Sequence, residues 1–314
     1  MWCFAPLAWA EQGPFALRNI HPIALLYGLP RPLGTDFPEA TELSFNVEHA
    51  SNFSSEKEGA TFFFFDGETS VVTYGMRRAF ADRWEWGVEL PWVIHTGGEL
   101  DSFIDEFHEL FGLKDGGRSA APRGRLDYLV RYEGKEFADF QDGKHHIGDV
   151  RAMLGFSLWQ SPARSMVVRG MIKAPTGTVE TLSGSEATDV AISLDYTDTE
   201  LLSRLGLKLS LMGGLVWLGD GELAPRAQNR VAGVGHLGLS YRLSDRVELL
   251  GQVDAQSRLL DSGLDPAGGA AIQGTLGGRF RMSPNAWLDL AVVEDLRSQS
   301  SSDVVFHIRL GVRL

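Results

Sequence analysis

The sequence predicts an all-β fold. It is an antiparallel transmembrane β-barrel of about fourteen strands, with about twelve as the lower count, carrying one amphipathic helix in an external loop. Three observations lead there. From Thr41 onward apolar and polar residues alternate with a period of two. Most of the alternating runs are about ten residues long, which suits a strand tilted across a bilayer. The connections between runs alternate between short and long, the rhythm of tight periplasmic turns and larger external loops.

Composition excludes the main competitors. A 44% hydrophobic content is too high for a disordered chain. Mean hydropathy of -0.08 is too low for a bundle of membrane helices, and no apolar run reaches the roughly 18 residues that a spanning helix needs. The balance of 29 Lys and Arg against 41 Asp and Glu, net -12, argues against a nucleic-acid partner. Cys3 is the single cysteine, so there is no disulfide framework, CxxC pair or cysteine zinc site.

Residues 1–10 (MWCFAPLAWA) are apolar, uncharged and end in the small-x-small pattern Ala8-Trp9-Ala10, so they read as the remainder of an export signal. Residues 11–40 form an N-terminal periplasmic or plug segment. Its prolines break any strand pattern, and its apolar piece Ile23-Ala-Leu-Leu-Tyr27 is suited to tuck into a barrel. Residues 41–314 are the outer-membrane barrel. The runs fall near 41–50, 68–80, 83–94, 124–133, 135–141, 147–159, 165–174, 187–196, 204–217, 230–243, 246–258, 271–282, 285–296 and 303–314, of which 135–141 is the weakest. Short connections lie at Ala81 to Arg83, Ser161 to Arg164, Ser244-Asp245 and Ser283 to Asn285. Long ones lie at 51–66, 95–123, 175–186, 218–229, 259–270 and 297–303.

Alternation leaves open which face is wet. A soluble sandwich would bury the apolar face, but a closed sheet this wide is too broad for one dry core. Aromatics gather at run ends, among them Trp84, Trp92, Trp217 and Tyr241, as interfacial girdles do; Trp159 and Trp287 have the parity of inward-facing residues. Lipid outside and water inside is the reading adopted. The chain ends on a strand residue, Leu314, which resembles the signal used by the barrel-insertion machinery. Expected partners are therefore that machinery, outer-membrane lipid and lipopolysaccharide.

Several segments resemble a family of bacterial outer-membrane β-barrel proteins that carries a domain-of-unknown-function label. They are Arg18-Asn19 with Pro22, Gly28-Leu29-Pro30, Asp66-Gly-Glu-Thr69 and Glu89-Leu-Pro-Trp92. The most specific is His95-Thr-Gly-Gly-Glu-Leu-Asp-Ser-Phe-Ile-Asp-Glu-Phe-His108, continuing through Phe111-Gly-Leu113 to Gly116-Gly-Arg118. Gly148-Asp-Val150, Lys173-Ala-Pro-Thr-Gly177 and Glu294-Asp-Leu296 also fit. The resemblance implies fold and location, with no activity or catalytic residue to transfer.

Residues 99–112 carry the one clear helical pattern. Leu100, Phe103, Ile104, Phe107, Leu110 and Phe111 form a stripe against an acidic remainder. Two placements remain: a helix lying on the barrel rim, or a lid in the mouth using Leu100, Phe103, Ile104, Phe107 and Phe111. Other motifs carry little chemistry. Gly233-Val-Gly-His-Leu-Gly238 matches the GxGxxG string, but a dinucleotide site needs a helix after it, and here a strand follows. His145 and His146 are neighbours on a strand and point to opposite faces. No GxSxG or HExxH occurs. Neither a cofactor nor a metal site is expected.

The inferred lumen face is charged. Arg77, Arg131, Arg151, Arg169, Lys173, Lys208, Arg242, Arg279, Arg281 and Arg309 point inward, facing Glu85, Glu89, Glu248 and Asp254 among others. Such groups either brace a barrel as ion pairs or line a wet path, and a slight arginine excess favours anions if a path is open. The expected function is passive passage of a small solute. The alternative is a closed structural barrel presenting its loops, and a weaker third is a membrane-embedded hydrolase using His95 or His108.

Overall fold

In the computed structural model the residues described are 13–38, 40–98, 124–297 and 300–314. Residues 1–10, expected to be the remainder of an export signal, and Leu100, Phe103, Ile104, Phe107 and Phe111, expected to form a rim helix or lid, lie outside them.

The strands are β1 (Glu42–Glu58), β2 (Thr61–Ala81), β3 (Trp84–Thr96), β4 (Asp127–Tyr132), β5 (Lys135–Phe140), β6 (Lys144–Ile147), β7 (Arg151–Gln160) and β8 (Arg164–Lys173). They continue as β9 (Asp189–Asp198), β10 (Leu207–Trp217), β11 (Val231–Arg242), β12 (Val247–Gln256), β13 (Ala271–Ser283), β14 (Ala286–Arg297) and β15 (Val304–Arg313). Antiparallel pairing runs β1-β2-β3, crosses to β7, and proceeds in order to β15, which pairs back on β1 from Glu42↔Arg313 to Ser51↔Val304. Among the described residues, twelve strands thus close the ring, and three more extend it at one end. Closure leaves no open edge in the hydrocarbon, where an unpaired N–H or C=O costs several kcal/mol.

Two expectations need correction. The runs at 124–133 and 135–141 are strands, but not staves of the barrel. They form the hairpin β4–β5, which pairs with the projecting part of β2 (Phe62↔Arg131 to Asp66↔Asp127). Alternation reports a half-buried strand without saying which layers it separates. This hairpin alternates because Tyr128, Val130, Ala138 and Phe140 pack with Phe63 and Phe65. Residues 51–66, expected to be a long loop, instead prolong β1 and β2 around a turn at Gly59-Ala60, with Gly59 at φ 58°. The polar sequence from Ser51 to Glu58 hides that strand because it stands clear of the apolar belt. The third addition, β6, continues the line of β7 alongside β3. The break between them faces Pro91, which has no N–H for the ladder and takes a hydrogen bond from Gly148 N on its carbonyl at 2.8 Å.

The outside is apolar. Tyr74, Leu90, Leu154, Ile172, Ile192, Leu215, Leu237, Leu276 and Ile308 are all exposed, on strand after strand, while the residues flanking them are buried or half-buried. A continuous apolar band of this extent marks a lipid-facing surface. Trp287 points inward at 3% exposure, whereas Trp159 is 45% exposed. A bulge between Ser157 and Trp159 adds one residue and reverses the parity that strict alternation assigns.

The long connections 174–188, 218–230 and 257–270 fold over the far end. Leu182, Leu223, Leu259, Leu260 and Leu264 there bury against Ile23, Leu26, Tyr27, Phe63 and Tyr128. This apolar cluster closes the external mouth. At the opposite end lie the tight turns, with Arg313 beside Asn285 and Leu314 beside Thr41.

Placing a charge on the belt tests its contact with lipid. Ile192→Arg, midway along β9, is expected to cost about 2–4 kcal/mol of unfolding free energy for the barrel in lipid vesicles, measured by urea titration. A loss below about 0.5 kcal/mol, the scale of an ordinary surface change, would show that this face is not in hydrocarbon.

Candidate functional site

The lumen is occupied. Residues 13–38 run through it, and Phe15, Ile20, Ile23, Leu26 and Tyr27 are at most 1% exposed. Apart from the short helix α1 (Pro22–Leu25), the segment has no secondary structure to satisfy its backbone. Wall side chains supply the partners instead. Arg279 Nη1 donates to Gly13 O at 2.7 Å, and Gln252 bonds both the N–H and the carbonyl of Phe15, at 3.1 and 3.3 Å. Lys173 Nζ donates to Leu26 O at 3.0 Å, and in the reverse sense the segment's own Asn19 Nδ2 donates to the Ser300 carbonyl at 2.8 Å. Asp189 accepts from Gly28 N at 2.7 Å, Glu48 pairs with Arg31 at 2.5 Å, and Arg313 pairs with Asp36 at 2.5 Å. Gly28 is required at its contact, since a Cβ there would lie 2.9 Å from Asp189 Cβ.

Most of the inward-facing residues meet in ion pairs. Arg169 bridges Glu85 at 2.7 Å and Asp195 at 2.9 Å; Arg77 stands 3.7 Å from Glu42 and 3.8 Å from Glu85. Lys173 contacts Asp149 at 2.5 Å and Asp189 at 3.4 Å. Arg279 pairs with Asp289 at 2.7 Å, Arg309 with Glu42 at 3.1 Å, and Lys208 with Glu248 at 3.5 Å. Glu89 and Arg151 line the central cavity. Two residues lie near the turn end, where Arg242 is exposed and Arg281 half-buried. Arg131 does not face the lumen. It belongs to the β4–β5 hairpin, paired with exposed Glu136 at 2.8 Å, for the reason given above.

Sequence reasoning missed Glu42 and Glu48, although both oppose Leu43, Phe45 and Val47 in the first run and were open to the same parity argument. It also left Arg18 and Arg31 unassigned. No period marks them, because their place is set by the barrel that surrounds them.

Asp254 has a different role from the other carboxylates. It is 2.8 Å from His236 Nδ1, while His236 Nε2 is 3.2 Å from Ser210 Oγ. The order resembles a nucleophile, base and acid, but the space beside Ser210 is only about 10 Å³, below or at the limit for one water. Gln252 Nε2 reaches Asp254 at 2.9 Å and ties this chain to Phe15, so it acts as a strut for the inner segment. His95, considered for hydrolysis, is buried between Thr69 and the Thr181 carbonyl at 2.9 and 3.1 Å and packs against Tyr128 and Phe140. His108 lies outside the described residues.

Free space is limited. The central cavity holds about 60 Å³ between the inner segment and the wall of β1–β3 and β7–β9, enough for several waters. A vestibule of about 290 Å³ opens at the turn end, lined by Thr35, Asp36, Ser161 to Ser165, Thr199 and Lys208. Among the described residues no group of His, Cys, Asp and Glu is arranged to hold a metal ion.

A profile for the family "Protein of unknown function (DUF3187)" matches residues 7–314. The chain belongs to this family. No curated protein matches it. The DUF3187 barrel is similar in fold to the COG4313 outer membrane channel from Pseudomonas putida F1, with a TM-score of 0.59 at 12% identity over 89% of this chain and 97% of that one. Looser likenesses are to KdgM porin (TM-score 0.47, 7% identity, 87% and 99% covered) and to the toluene transporter TbuX of Ralstonia pickettii (0.43, 11%, 98% and 96%). Closed, belted with apolar side chains and built on this fold, the DUF3187 barrel is of the bacterial outer-membrane type.

Burial lowers His21, in the inner segment, from 6.5 to about 3. Its Nδ1 accepts from Ile23 N at 3.3 Å, and its ring sits edge-on to Phe65. The docked segment therefore requires neutral imidazole. Docking is intact above pH 6.5 and weakens as pH falls toward 3, by about 1.4 kcal/mol per unit. Between pH 7 and pH 5 the wild type is expected to lose about 2 kcal/mol of docking that His21→Asn does not lose. Limited proteolysis within residues 13–38, comparing the two proteins at each pH, measures it; equal pH responses would remove His21 from the account.

Proposed function

We propose that this DUF3187 chain is a passive channel for a small solute across the bacterial outer membrane, and that residues 13–38 set its closed state. The observation that carries this reading is the make-up of the lumen. Its mid-section is lined by ionisable side chains and filled by a separate segment, held through contacts such as the Arg31–Glu48 ion pair and the Lys173 hydrogen bond to the Leu26 carbonyl. A barrel kept only as a rigid support has no need of a charged wall, because well-packed apolar residues replace buried ion pairs with no loss of stability and often a gain. A charged wall with a removable occupant suits a path that is wet for part of the time. No step in this function calls for catalysis, so the protein is not an enzyme on this reading. Outer-membrane lipid and lipopolysaccharide cover the belt, and the barrel-insertion machinery assembles it.

The fold of the COG4313 outer membrane channel supports a barrel able to house a pore. The apolar seal at the external end favours a second reading, a closed barrel that presents its loops. Single-channel recording in planar bilayers separates the two. The full chain is expected to give small or rare current steps, and deletion of residues 13–38 is expected to raise conductance at least several-fold. The same recording without residues 95–123 shows whether that loop narrows the path. Silence in all three forms, with heat-modifiable gel migration showing folded barrels, would establish the closed barrel.

A further inference from the structure

The central cavity is lined unevenly. Five guanidinium groups border it, those of Arg31, Arg77, Arg151, Arg169 and Arg309, against two carboxylates, Glu42 and Glu89. Several of these arginines spend one edge on a carboxylate behind them, as Arg31 does on Glu48 at 2.5 Å and Arg169 on Glu85 at 2.7 Å. Other guanidinium nitrogens are buried and have no protein partner among the described residues: Nε and Nη1 of Arg31, Nε of Arg77, Nε of Arg151 and Nε of Arg309.

Arg18 lies outside this lining, in a smaller adjoining cavity. It is 7% exposed, and among the described residues its Nε and Nη1 have no protein partner. It stands within electrostatic reach of Arg31 and Arg151 on one side and of Glu48 and Glu89 on the other. This set carries three positive groups and two negative ones. A buried positive charge with unfilled donors is costly, and an anion supplying paired oxygen acceptors removes the cost.

The remaining lining says what kind of anion. Met153, Met171 and Ala191 border the same space. Two of them are methionines, whose flexible thioethers adapt to a short apolar group. We infer that the cavity framed by Arg31, Arg151 and Arg309, with Arg18 behind it, binds a small anion with a planar pair of oxygens and a short aliphatic tail, a short-chain carboxylate. The carboxylate lies against the free guanidinium edges and the tail against Met153 and Met171. The inference rests on the channel reading in taking this cavity as a stop on the solute's path, so the solute class becomes small organic anions.

The test uses the full folded chain in detergent with sodium propionate as probe. Its uncharged isostere propionamide and sodium chloride at equal ionic strength serve as references. The readout is the temperature at which the folded band converts to the unfolded one on a gel. Millimolar propionate is expected to raise that temperature by several degrees, propionamide to leave it unchanged, and chloride to act less than propionate. The shift should be lost in Arg18→Gln and in Arg151→Gln. Equal shifts from propionate and propionamide, or no shift from propionate, overturn the inference on the wild-type protein alone, whether or not the variants fold. A bilayer recording under a tenfold sodium propionate gradient then separates this failure from that of the channel reading. Binding in a silent barrel keeps the anion site and removes the channel, whereas a conducting barrel that prefers sodium and ignores propionate keeps the channel and removes the anion site.

Discussion

Every feature of this molecule follows from the need to satisfy polar backbone where water is scarce. In the hydrocarbon that need admits only a sheet without edges, and the ring from β1 through β3 and β7 to β15 meets it by pairing Glu42 with Arg313 and Ser51 with Val304. The same constraint applies a second time inside. Residues 13–38 bring a stretch of backbone into the lumen with only one helical turn of their own. Its N–H and C=O groups are met by Gln252, Lys173, Asp189, Arg279 and Asp195, side chains that the alternation of the strands turns inward. The wall is polar where it meets the backbone and charged side chains of its occupant, and apolar where Phe15, Leu17, Ile20 and Leu25 pack against Val71, Val93, Leu250 and Val305.

That match sets the energetic character of the lumen. Single buried ion pairs add little net stability, since desolvation offsets much of the Coulomb gain. Removing one partner is costly, because the other is left charged and dry. The wall is therefore tolerant as a network and intolerant at each member. Arg169, held between Glu85 and Asp195, and Lys173, surrounded by Asp149, Asp189, Ser185 and the Leu26 carbonyl, have no spare position to take up if a neighbour is lost. The segment itself is attached differently. Beside its apolar packing, its polar contacts with the wall are mostly single hydrogen bonds to backbone groups, each modest once exchange with water is counted. Such an attachment is firm in sum and separable in steps.

Much of the fold was legible because a membrane strand writes its orientation into every second residue. Leu43, Phe45 and Val47 against Glu42, Asn46 and Glu48, or Leu237 and Leu239 against His236, declare lipid on one side and lumen on the other. Legibility failed wherever something other than lipid and lumen lay on the two sides. The β4–β5 hairpin alternates for its contact with Phe63 and Phe65, and so was counted as two staves, with Arg131 placed inside. The polar tip of β1 lost its strand signature once past the belt. A single bulge at Trp159 reversed a parity that otherwise holds. For the lumen, parity names candidate wall residues but carries nothing about their partners. Arg18 and Arg31 depend on where a segment without periodicity lies, and a one-dimensional pattern carries no trace of that.

The distribution of polarity along the lumen axis bears on how a path would form. The external end is apolar, with Leu182, Leu259, Leu260 and Tyr27 fully buried. The turn end is wet, with the vestibule reaching Lys208 and Asp36. Between them the cavity beside Arg31 and Arg151 faces the inner segment on one side and the wall on the other. Residues 23–29 belong both to the apolar seal and to the segment that fills the mid-section, so the two closures share one piece of chain. Freeing the Leu26 carbonyl from Lys173 and Gly28 from Asp189 would loosen the seal together with the constriction beneath it. On the channel reading, the described residues would give such a barrel a single closed state rather than two independent gates, held by the bonds at Leu26 and Gly28.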